Sequence, residues 1–270
     1  MKELYLSKVG NIEARLTQSK EEIVACQKLR YKIFFEELGA NSGVEQNPKV
    51  HEEKRDFDQF DETCNHIIMY DTTIEGSMED KIIGTYRLIE KEHISEIGHF
   101  FSQYEFDVSS LMNYSKGKVL ELGRACIKAE YRNNIVMKLL WNVIADYFFK
   151  NDIKLMFGEA DWPTTNVEEI REALSLIKLY SKENPVAEEL SVIKSKQKTW
   201  DELDLIPEEE LNKKKALKDI LPLIKGYMRI GCNFGNGIYV DPLFNSTSIL
   251  ILLDMDKLDK KYFEHYAKKQ

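Results

Sequence analysis

Apolar residues recur at helical spacing along 135–149, directly after a mostly apolar stretch at 119–127. This pattern predicts a strand followed by a helix, which Asn133 or Asn134 can cap. A second apolar stretch at 154–160 predicts the next strand. Strand, helix and strand form a βαβ unit, so we expect a parallel pair within a mixed sheet of an α/β protein.

The same reading predicts the elements on either side. A capping box at Ser19 and Glu22 opens a helix that runs to Leu38 before Gly39. The other predicted elements are an edge strand at 11–17, an ordered polar loop at 40–65, a hairpin with strands at 66–70 and 82–89, a helix at 219–230, strands at 235–240 and 248–254, and a final helix at 255–267.

Residues 166–218 differ from the rest of the chain. They are rich in Glu and Lys, with apolar residues at helical spacing and few strand formers. We interpret them as two or three helices inserted into a single domain that spans 1–270.

Composition excludes several classes of protein. The 270 residues carry a net charge of −8, which disfavours general nucleic-acid binding. The four cysteines are widely spaced without a CxxC motif, so we expect reduced thiols and no metal site. There is no signal-like amino terminus and no apolar run of membrane-spanning length. These features predict a cytoplasmic protein, at most peripheral to the inner membrane.

The turn at 128–134 is the first candidate for chemistry. A strand that enters a helix through a tight turn directs unpaired N–H groups and the positive end of the helix dipole at one point, where a phosphate can bind. An ordinary strand–helix connection is the alternative. Glu121 and Arg124 lie inside the preceding strand, and charges in a buried strand need a partner or a purpose.

Several motifs resemble a known family. LRYKIFF at 29–35, RDFDQFD at 55–61, GTYRLI at 84–89 and ELGR at 121–124 occur in the order seen in acyl-homoserine-lactone synthases. The second half departs from those enzymes. LPLIKGYMRIG at 221–231 and FNSTSILIL at 244–252, together with CNHII at 64–68, resemble the ornithine-lipid N-acyltransferases, also called hemolysin-like acyltransferases.

This resemblance implies a GNAT-like fold, a mixed β-sheet flanked by helices. It implies transfer of a fatty acyl chain, often 3-hydroxylated, from acyl carrier protein to the α-amine of ornithine, which forms lyso-ornithine lipid. The donor would be the acyl-phosphopantetheine of the carrier, with no permanently bound cofactor. Common GNAT enzymes bind the pyrophosphate of coenzyme A at a glycine-containing turn. The equivalent run 132–137 has no glycine, which weakens acyl-CoA as donor.

The resemblance also suggests roles for single residues, each with a structural alternative. Glu121 would take the proton of the attacking amine, or form a structural pair with Arg124. Tyr227 would protonate the departing thiolate, and His66 would relay a proton, unless both are packed core residues. The substrate-binding candidates are Arg30, Asp58, Asp61, Arg87 and Arg124, and the donor-binding candidates are Ala125, Cys126, Ile127, Arg132, Asn133 and Asn134.

Some alternatives stay open at this point. Asp58 and Asp61 either bind the amines of ornithine or order the loop through salt bridges with Arg30, Arg55 or Arg87. The insertion covers the acyl chain, touches the membrane, or is a plain helical subdomain. The protein itself could instead be another N-acyl amino acid synthase, an acyl-homoserine-lactone synthase, or a non-catalytic sensor of acyl carriers or amino acids. Signal synthases lack the 166–218 segment, which disfavours that branch.

Overall fold

The computed structural model describes residues 4–40, 48–255 and 257. The α-helices are α1 (Lys20–Tyr31), α2 (Pro48–Glu52), α3 (Met78–Lys81), α4 (Asn134–Lys150), α5 (Arg171–Glu183), α6 (Lys213–Asp219) and α7 (Pro222–Arg229). The strands are β1 (Ser7–Val9), β2 (Ile12–Leu16), β3 (Asn65–Asp71), β4 (Ile82–Glu90), β5 (Phe106–Asp107), β6 (Lys118–Ile127), β7 (Ile153–Trp162), β8 (Lys194–Ser195), β9 (Asn233–Phe234), β10 (Tyr239–Asp241) and β11 (Ser246–Asp254). A π-helix (Lys32–Glu37) continues α1.

The described residues group into two compact units. The first unit contains residues up to 98 together with 120–153, and the second contains 99–119 together with the chain from 154 onward. No helix within residues 4–40, 48–255 and 257 is both long and apolar enough to cross a bilayer.

The sheet of the first unit is antiparallel, in the order β1, β2, β3, β4, β6. The strand predicted at 11–17 is confirmed as β2, but its predicted edge position is wrong, because β1 pairs with β2 on its outer side. β1 has only three residues, Ser-Lys-Val, and so short a strand carries no periodicity to read. The predicted helix from Ser19 is confirmed: the Ser19 side chain accepts from the Glu22 amide, and Gly39 follows the helical run at φ +73°.

Helices cover β3, which is why it is buried along most of its length. Ile68 of β3 packs with Cys26, Leu29 and other apolar residues of the helical run 20–37. Its neighbours point to the other side of the sheet, as alternation along a strand requires. Asn65, for example, donates to the Tyr147 hydroxyl of α4 at 2.8 Å.

A bulge interrupts the pairing of β4 with β6. Thr85 lies opposite Cys126 and Arg87 opposite Gly123, so two residues of β6 oppose Tyr86 alone. Arg124 is one of those two and adopts the left-handed conformation with φ +53°. The bulge changes which way the residues after Gly123 point.

The second unit contains an antiparallel group in which β11 pairs with β7, β9 and β10. The helix predicted at 219–230 is confirmed as α7 and ends where predicted, but its predicted start is wrong, because α6 ends at Asp219 and Pro222 begins α7 in the first turn, where proline fits best. The predicted strand at 235–240 is also displaced, to β9 and β10. The predicted helix at 255–267 lies outside the described residues apart from two turn residues.

Residues 166–218 belong to the second unit. Their two α-helices, α5 and α6, meet through Leu179, Leu211 and Ala216. The segment is joined to the strands of the same unit by hydrogen bonds, for example from the Gln197 side chain to the Val240 carbonyl of β10 at 2.9 Å. Whether it is an insertion relative to other proteins of this fold stays a prediction.

Candidate active site

A buried ion pair anchors the candidate site of the first unit. Arg30 lies on α1, and Asp61 lies in the loop before β3. The two terminal nitrogens of Arg30 donate to the two carboxylate oxygens of Asp61, at 3.0 and 2.6 Å. Both residues are at most 1% exposed. Such a two-point contact fixes the loop against the helix.

Two further arginines and two further aspartates extend this pair. Arg87 of β4 places one nitrogen 2.7 Å from each carboxylate oxygen of Asp58. Arg30 Nε lies 2.8 Å from Asp56 Oδ2. Arg124, at the bulge of β6, lies 3.6 Å from Asp56 and 3.9 Å from Asp58. We call these three arginines and three aspartates the Arg–Asp cluster, and its formal charges balance.

Electrostatics keep the Arg–Asp cluster ionised. Burial alone raises the pKa of the Asp61 carboxyl, but the charges of Arg30 and Arg87 outweigh it and hold the pKa well below its usual range. Burial lowers the pKa of the Arg30 guanidinium, and Asp61 and Asp56 more than reverse that effect. Asp61 therefore remains charged and already has cationic partners.

The Arg–Asp cluster distinguishes the two proposed amine-binding aspartates. Asp61 is buried and paired with Arg30 and Arg87, which is the loop-ordering alternative. The Asp58 side chain is 24% exposed, so it is the one that a substrate can reach. Arg55 joins neither of them: it pairs with Glu53 and lies over the Phe57 ring.

His66 of β3 supports the same loop. It is fully buried, and its Nε2 donates to the Asp61 carbonyl at 2.9 Å. Burial lowers the pKa of the imidazole to about 4, since the nearby Asp61 charge only partly offsets it. The ring is therefore neutral near pH 7. Its proton-relay role stays a prediction, and the contacts are those of a structural residue.

Asp61, Cys64 and His66 form a cluster whose ligand-type atoms lie within 4.8 Å of one another. The chemistry of these groups does not suit a metal ion. Burial raises the pKa of the Cys64 thiol to about 12, so the thiolate ligand is disfavoured. A cation there would also face the guanidinium groups that already neutralise Asp61.

β6 carries the proposed catalytic carboxylate. Glu121 is 1% exposed and lies opposite Ile89 of β4, three residues before Arg124, where the bulge begins. The side chain is thus held in the interior of the first unit. Of the nearby donor-binding candidates, Cys126 is buried, which raises the pKa of its thiol, while Ala125 is exposed.

The turn before α4 uses its own amides. The Asn133 side chain accepts from the N–H groups of Ile135 and Val136 at 3.0 and 3.1 Å, which is an N-cap. Arg132 donates from Nε to the Ile127 carbonyl and pairs with Glu37 at 2.6 Å. Two of the amides that could face a phosphate are therefore occupied, and Asn134 is the first residue of the helix.

Tyr227 lies on α7 of the second unit and is 5% exposed. Its carbonyl accepts the N–H groups of Ile230 and Cys232, which close the helix end at Gly231. The backbone position of Tyr227 is thus fixed by this turn.

Two residues of the candidate site, Asp56 and Gln27, were not predicted from the sequence. Asp56 was one of several acids in the 55–61 motif, and nothing marked it as the partner of Arg30. Gln27 donates to Asp61 at 3.4 Å from the same helix as Arg30. The signal for Gln27 was its spacing, since residues three apart share a helix face.

Comparison with known proteins agrees with this architecture. An acetyltransferase (GNAT) domain model matches residues 29–142. A protein of Rhizobium meliloti named L-ornithine N(alpha)-acyltransferase is 37% identical over 97% of this chain and 86% of its own length. The protein of the same name from Agrobacterium fabrum is 38% identical over 96% of this chain and 86% of its own. The chain belongs to the L-ornithine N(alpha)-acyltransferase family.

Membership of the L-ornithine N(alpha)-acyltransferase family confirms the predicted resemblance, the GNAT-like fold and the acyltransferase class. A solved structure also aligns with most of the chain. FeeM, an N-acyl amino acid synthase from uncultured soil microbes, aligns over 95% of each chain with a TM-score of 0.49 and 9% identity. Similarity at this level does not identify a shared substrate.

Proposed function

We propose that the protein transfers a fatty acyl chain, often 3-hydroxylated, from acyl carrier protein to the α-amine of ornithine and forms lyso-ornithine lipid. The observation that carries this proposal is the 37% identity, across 97% of the chain, to a protein named L-ornithine N(alpha)-acyltransferase. The name of that relative specifies the amino acid ornithine as the acceptor. The carrier donor and the lipid product are our extension.

The turn before α4 supports a carrier-bound donor. In the usual GNAT arrangement, backbone N–H groups at a helix start bind a pyrophosphate. Here the Asn133 side chain already accepts two of those N–H groups, and the run 132–137 has no glycine to let a phosphate approach the backbone. The phosphopantetheine arm of a carrier protein has one phosphate and depends less on this turn.

The chemistry requires a base, an acid and a polarised carbonyl. The free α-amine attacks the thioester carbon, the new C–N bond forms, and the C–S bond breaks. In our proposal Glu121 takes the proton from the amine and Tyr227 gives a proton to the departing thiolate. Backbone N–H groups of 125–127 would stabilise the oxyanion.

The Arg–Asp cluster has a supporting role in this proposal. It holds the loop of Asp58 through the buried pairs of Arg30 and Arg87, so that one aspartate stays reachable in a fixed position. A fixed loop loses little conformational entropy when a substrate binds. Arg124 then contributes by pairing with Asp56 and Asp58 from the bulge.

The product is amphipathic, so we also propose peripheral contact with the inner membrane. The surface that supports this is α6, where Lys214 and Lys218 are exposed beside Leu217, an apolar residue that is 49% exposed. Sedimentation with anionic liposomes tests this contact. Equal sedimentation of the wild type and a Lys214→Glu/Lys218→Glu variant would count against it.

One experiment tests the function and its alternatives. Purified protein is incubated with acyl carrier protein thioesters or acyl-CoA and a panel of amines, and the products are identified by mass spectrometry. We expect N-acylornithine from the carrier thioester. Acylation of glycine or an aromatic amino acid instead would identify another N-acyl amino acid synthase. Absence of any product with every pair would favour a non-catalytic sensor.

A further inference from the structure

A cleft in the first unit has no role in the chemistry described above. Its volume is about 1030 Å³, and it lies between the first half of α1, the loop at 55–63 and the turn at 92–97. Asp58 and Asp61 of the Arg–Asp cluster line one side. Four half-buried apolar side chains, Ile23, Val24, Phe57 and Ile97, line the rest of its depth. We call it the acidic cleft.

The charge of the acidic cleft selects the kind of ligand. Its two aspartates are neutralised by Arg87 and Arg30. Three exposed glutamates remain, Glu62, Glu92 and Glu96, and no ion pair is found for them within the part of the chain that the structure describes. Lys20 and Arg55 also line the cleft, but Arg55 is already paired with Glu53. The remaining negative charge attracts cations and repels phosphates and acidic proteins.

Gln27 adds an observation that is independent of the acidic residues. It lines the acidic cleft and is 6% exposed. Its Nε2 donates to Asp61 at 3.4 Å, which fixes the orientation of the amide. Its Oε1 is buried and has no hydrogen-bond donor among the described residues. A buried acceptor without a donor is unusual in a folded protein, and an ammonium group would supply one.

The ends of ornithine differ in charge. The α-carbon carries both an ammonium and a carboxylate, so that end is neutral overall and its carboxylate is repelled by glutamates. The side-chain end carries one ammonium at the end of three methylene groups. An acidic cleft with apolar walls therefore fits the side-chain end better.

We propose that the acidic cleft binds the side-chain ammonium of the diamino-acid substrate. The ammonium donates to Gln27 Oε1, the methylene groups lie along the apolar wall, and the exposed glutamates attract the charge. This inference rests on the proposed function. It assigns a binding site to the end of the acceptor that is not acylated. It also explains why a diamino acid is selected over an amino acid with a neutral side chain.

The test compares ornithine with norleucine, which has a methyl group in place of the side-chain ammonium and nearly the same shape. Calorimetry on the purified full chain, without any acyl donor, measures both affinities. We expect ornithine to bind at least 10-fold more tightly, as for a hydrogen bond to a charged group. Gln27→Leu should remove most of that preference. Gln18→Leu, an exposed glutamine before α1, is the matched control.

A second variant guards against misfolding of Gln27→Leu. Glu92 and Glu96 are exposed, so Glu92→Gln/Glu96→Gln should fold normally, and we expect it to weaken ornithine binding by roughly 3- to 10-fold in a salt-dependent way. Glu75→Gln, also exposed and outside the cleft, is its control.

Two outcomes would overturn the inference, and they differ. If both cleft variants keep the wild-type preference while N-acylornithine is still formed, the cleft assignment is wrong and the proposed function stands. If the wild type neither prefers ornithine nor acylates it, the proposed function fails, and the cleft assignment fails with it.

Discussion

The first unit contains two groups of charges that behave differently. The Arg–Asp cluster is mostly buried, and each of its aspartates has an arginine within 4.0 Å. The acidic cleft beside it keeps three exposed glutamates without such partners among the described residues. Buried charges must be compensated within the protein, whereas exposed ones remain available to a ligand. The RDFDQFD motif is more prominent in the sequence than the cleft glutamates, but its aspartates mainly order a loop.

Glu121 tests this distinction most strongly, because it is buried and yet proposed as the base. We expect Glu121→Gln to lower kcat by roughly 10²- to 10⁴-fold without lowering the melting temperature. Steady-state kinetics and thermal unfolding of one variant measure both. A parallel loss of activity and stability would place Glu121 with the structural charges, and wild-type turnover would remove it from the mechanism. Glu75→Gln serves as the surface control.

The Arg–Asp cluster should respond as a stability element. Arg30→Met leaves the Asp61 carboxylate buried beside Arg87 alone, and we expect a loss of about 3–5 kcal/mol in the free energy of unfolding. Removing both charges in Arg30→Met/Asp61→Leu should cost less than the sum of the single changes. Chemical denaturation measures each value.

The control for Arg30 is on the same helix. Lys28 forms a surface pair with Glu79 at 2.6 Å. Lys28→Met should cost no more than about 1 kcal/mol. Equal losses for Arg30→Met and Lys28→Met would contradict the assigned difference between buried and exposed charges.

His66 predicts how stability depends on pH. Its imidazole has a pKa of about 4 in the folded protein against 6.5 ordinarily, so the unfolded chain binds a proton first as the pH falls. Stability from this residue is complete above pH 6.5 and is lost as the pH falls toward 4, by about 3 kcal/mol. His66→Gln should flatten the dependence over that window, measured by denaturation at several pH values.

The lowered pKa of Asp61 also makes the protein less stable as the pH falls, but over a more acid pH range than for His66. The unfolded carboxyl is half-protonated near its ordinary pKa of 3.8, and the folded one only at much lower pH. Its contribution is therefore complete above that value and is lost only at more acid pH. For His66, an unchanged pH dependence of the free energy of unfolding between pH 6.5 and 4 in His66→Gln would contradict its description as a buried, neutral imidazole.

The smallest effect that we expect concerns the turn before α4 and the choice of acyl donor. Its two amides are occupied by Asn133, so carrier thioesters should give at least about 10-fold higher kcat/KM than acyl-CoA of equal chain length, by analogy with loss of charge-assisted phosphate contacts. Asn133→Gly frees these amides and should reduce the ratio of kcat/KM with the carrier thioester to kcat/KM with acyl-CoA. Asn212→Gly removes the similar cap of α6 and should leave it unchanged. Equal rates with both donors in the wild type would contradict this.

Local pattern predicted the elements better than their pairing. The helix after Asn133 and the hairpin of β3 and β4 were predicted because their periodicities are long. β1 was missed because three residues are too few to show a periodicity, and that omission placed β2 at the edge. The break at Pro222 was misread since the residues on both sides are apolar at helical spacing.

The candidate site shows the same limit. Arg30, Asp61 and Arg87 were predicted together, but only as alternatives, because spacing cannot tell whether a carboxylate meets an arginine or a substrate. Burial decides which partner the carboxylate meets. That burial depends on contacts between residues that are separated by 26 and 31 positions along the chain. Gln27 was missed because an unsatisfied amide oxygen exists only in three dimensions.

Asp61 also affects how the first unit assembles. Its carboxylate accepts from α1 through Arg30 and Gln27, from β4 through Arg87 and from its own loop through the Asp58 amide. A partly formed set would leave a charge desolvated without its partners, which is worse than no set at all. The helix, the loop and the hairpin should therefore order together in a single cooperative step, so that intermediates with a docked helix and an undocked loop are scarcely populated.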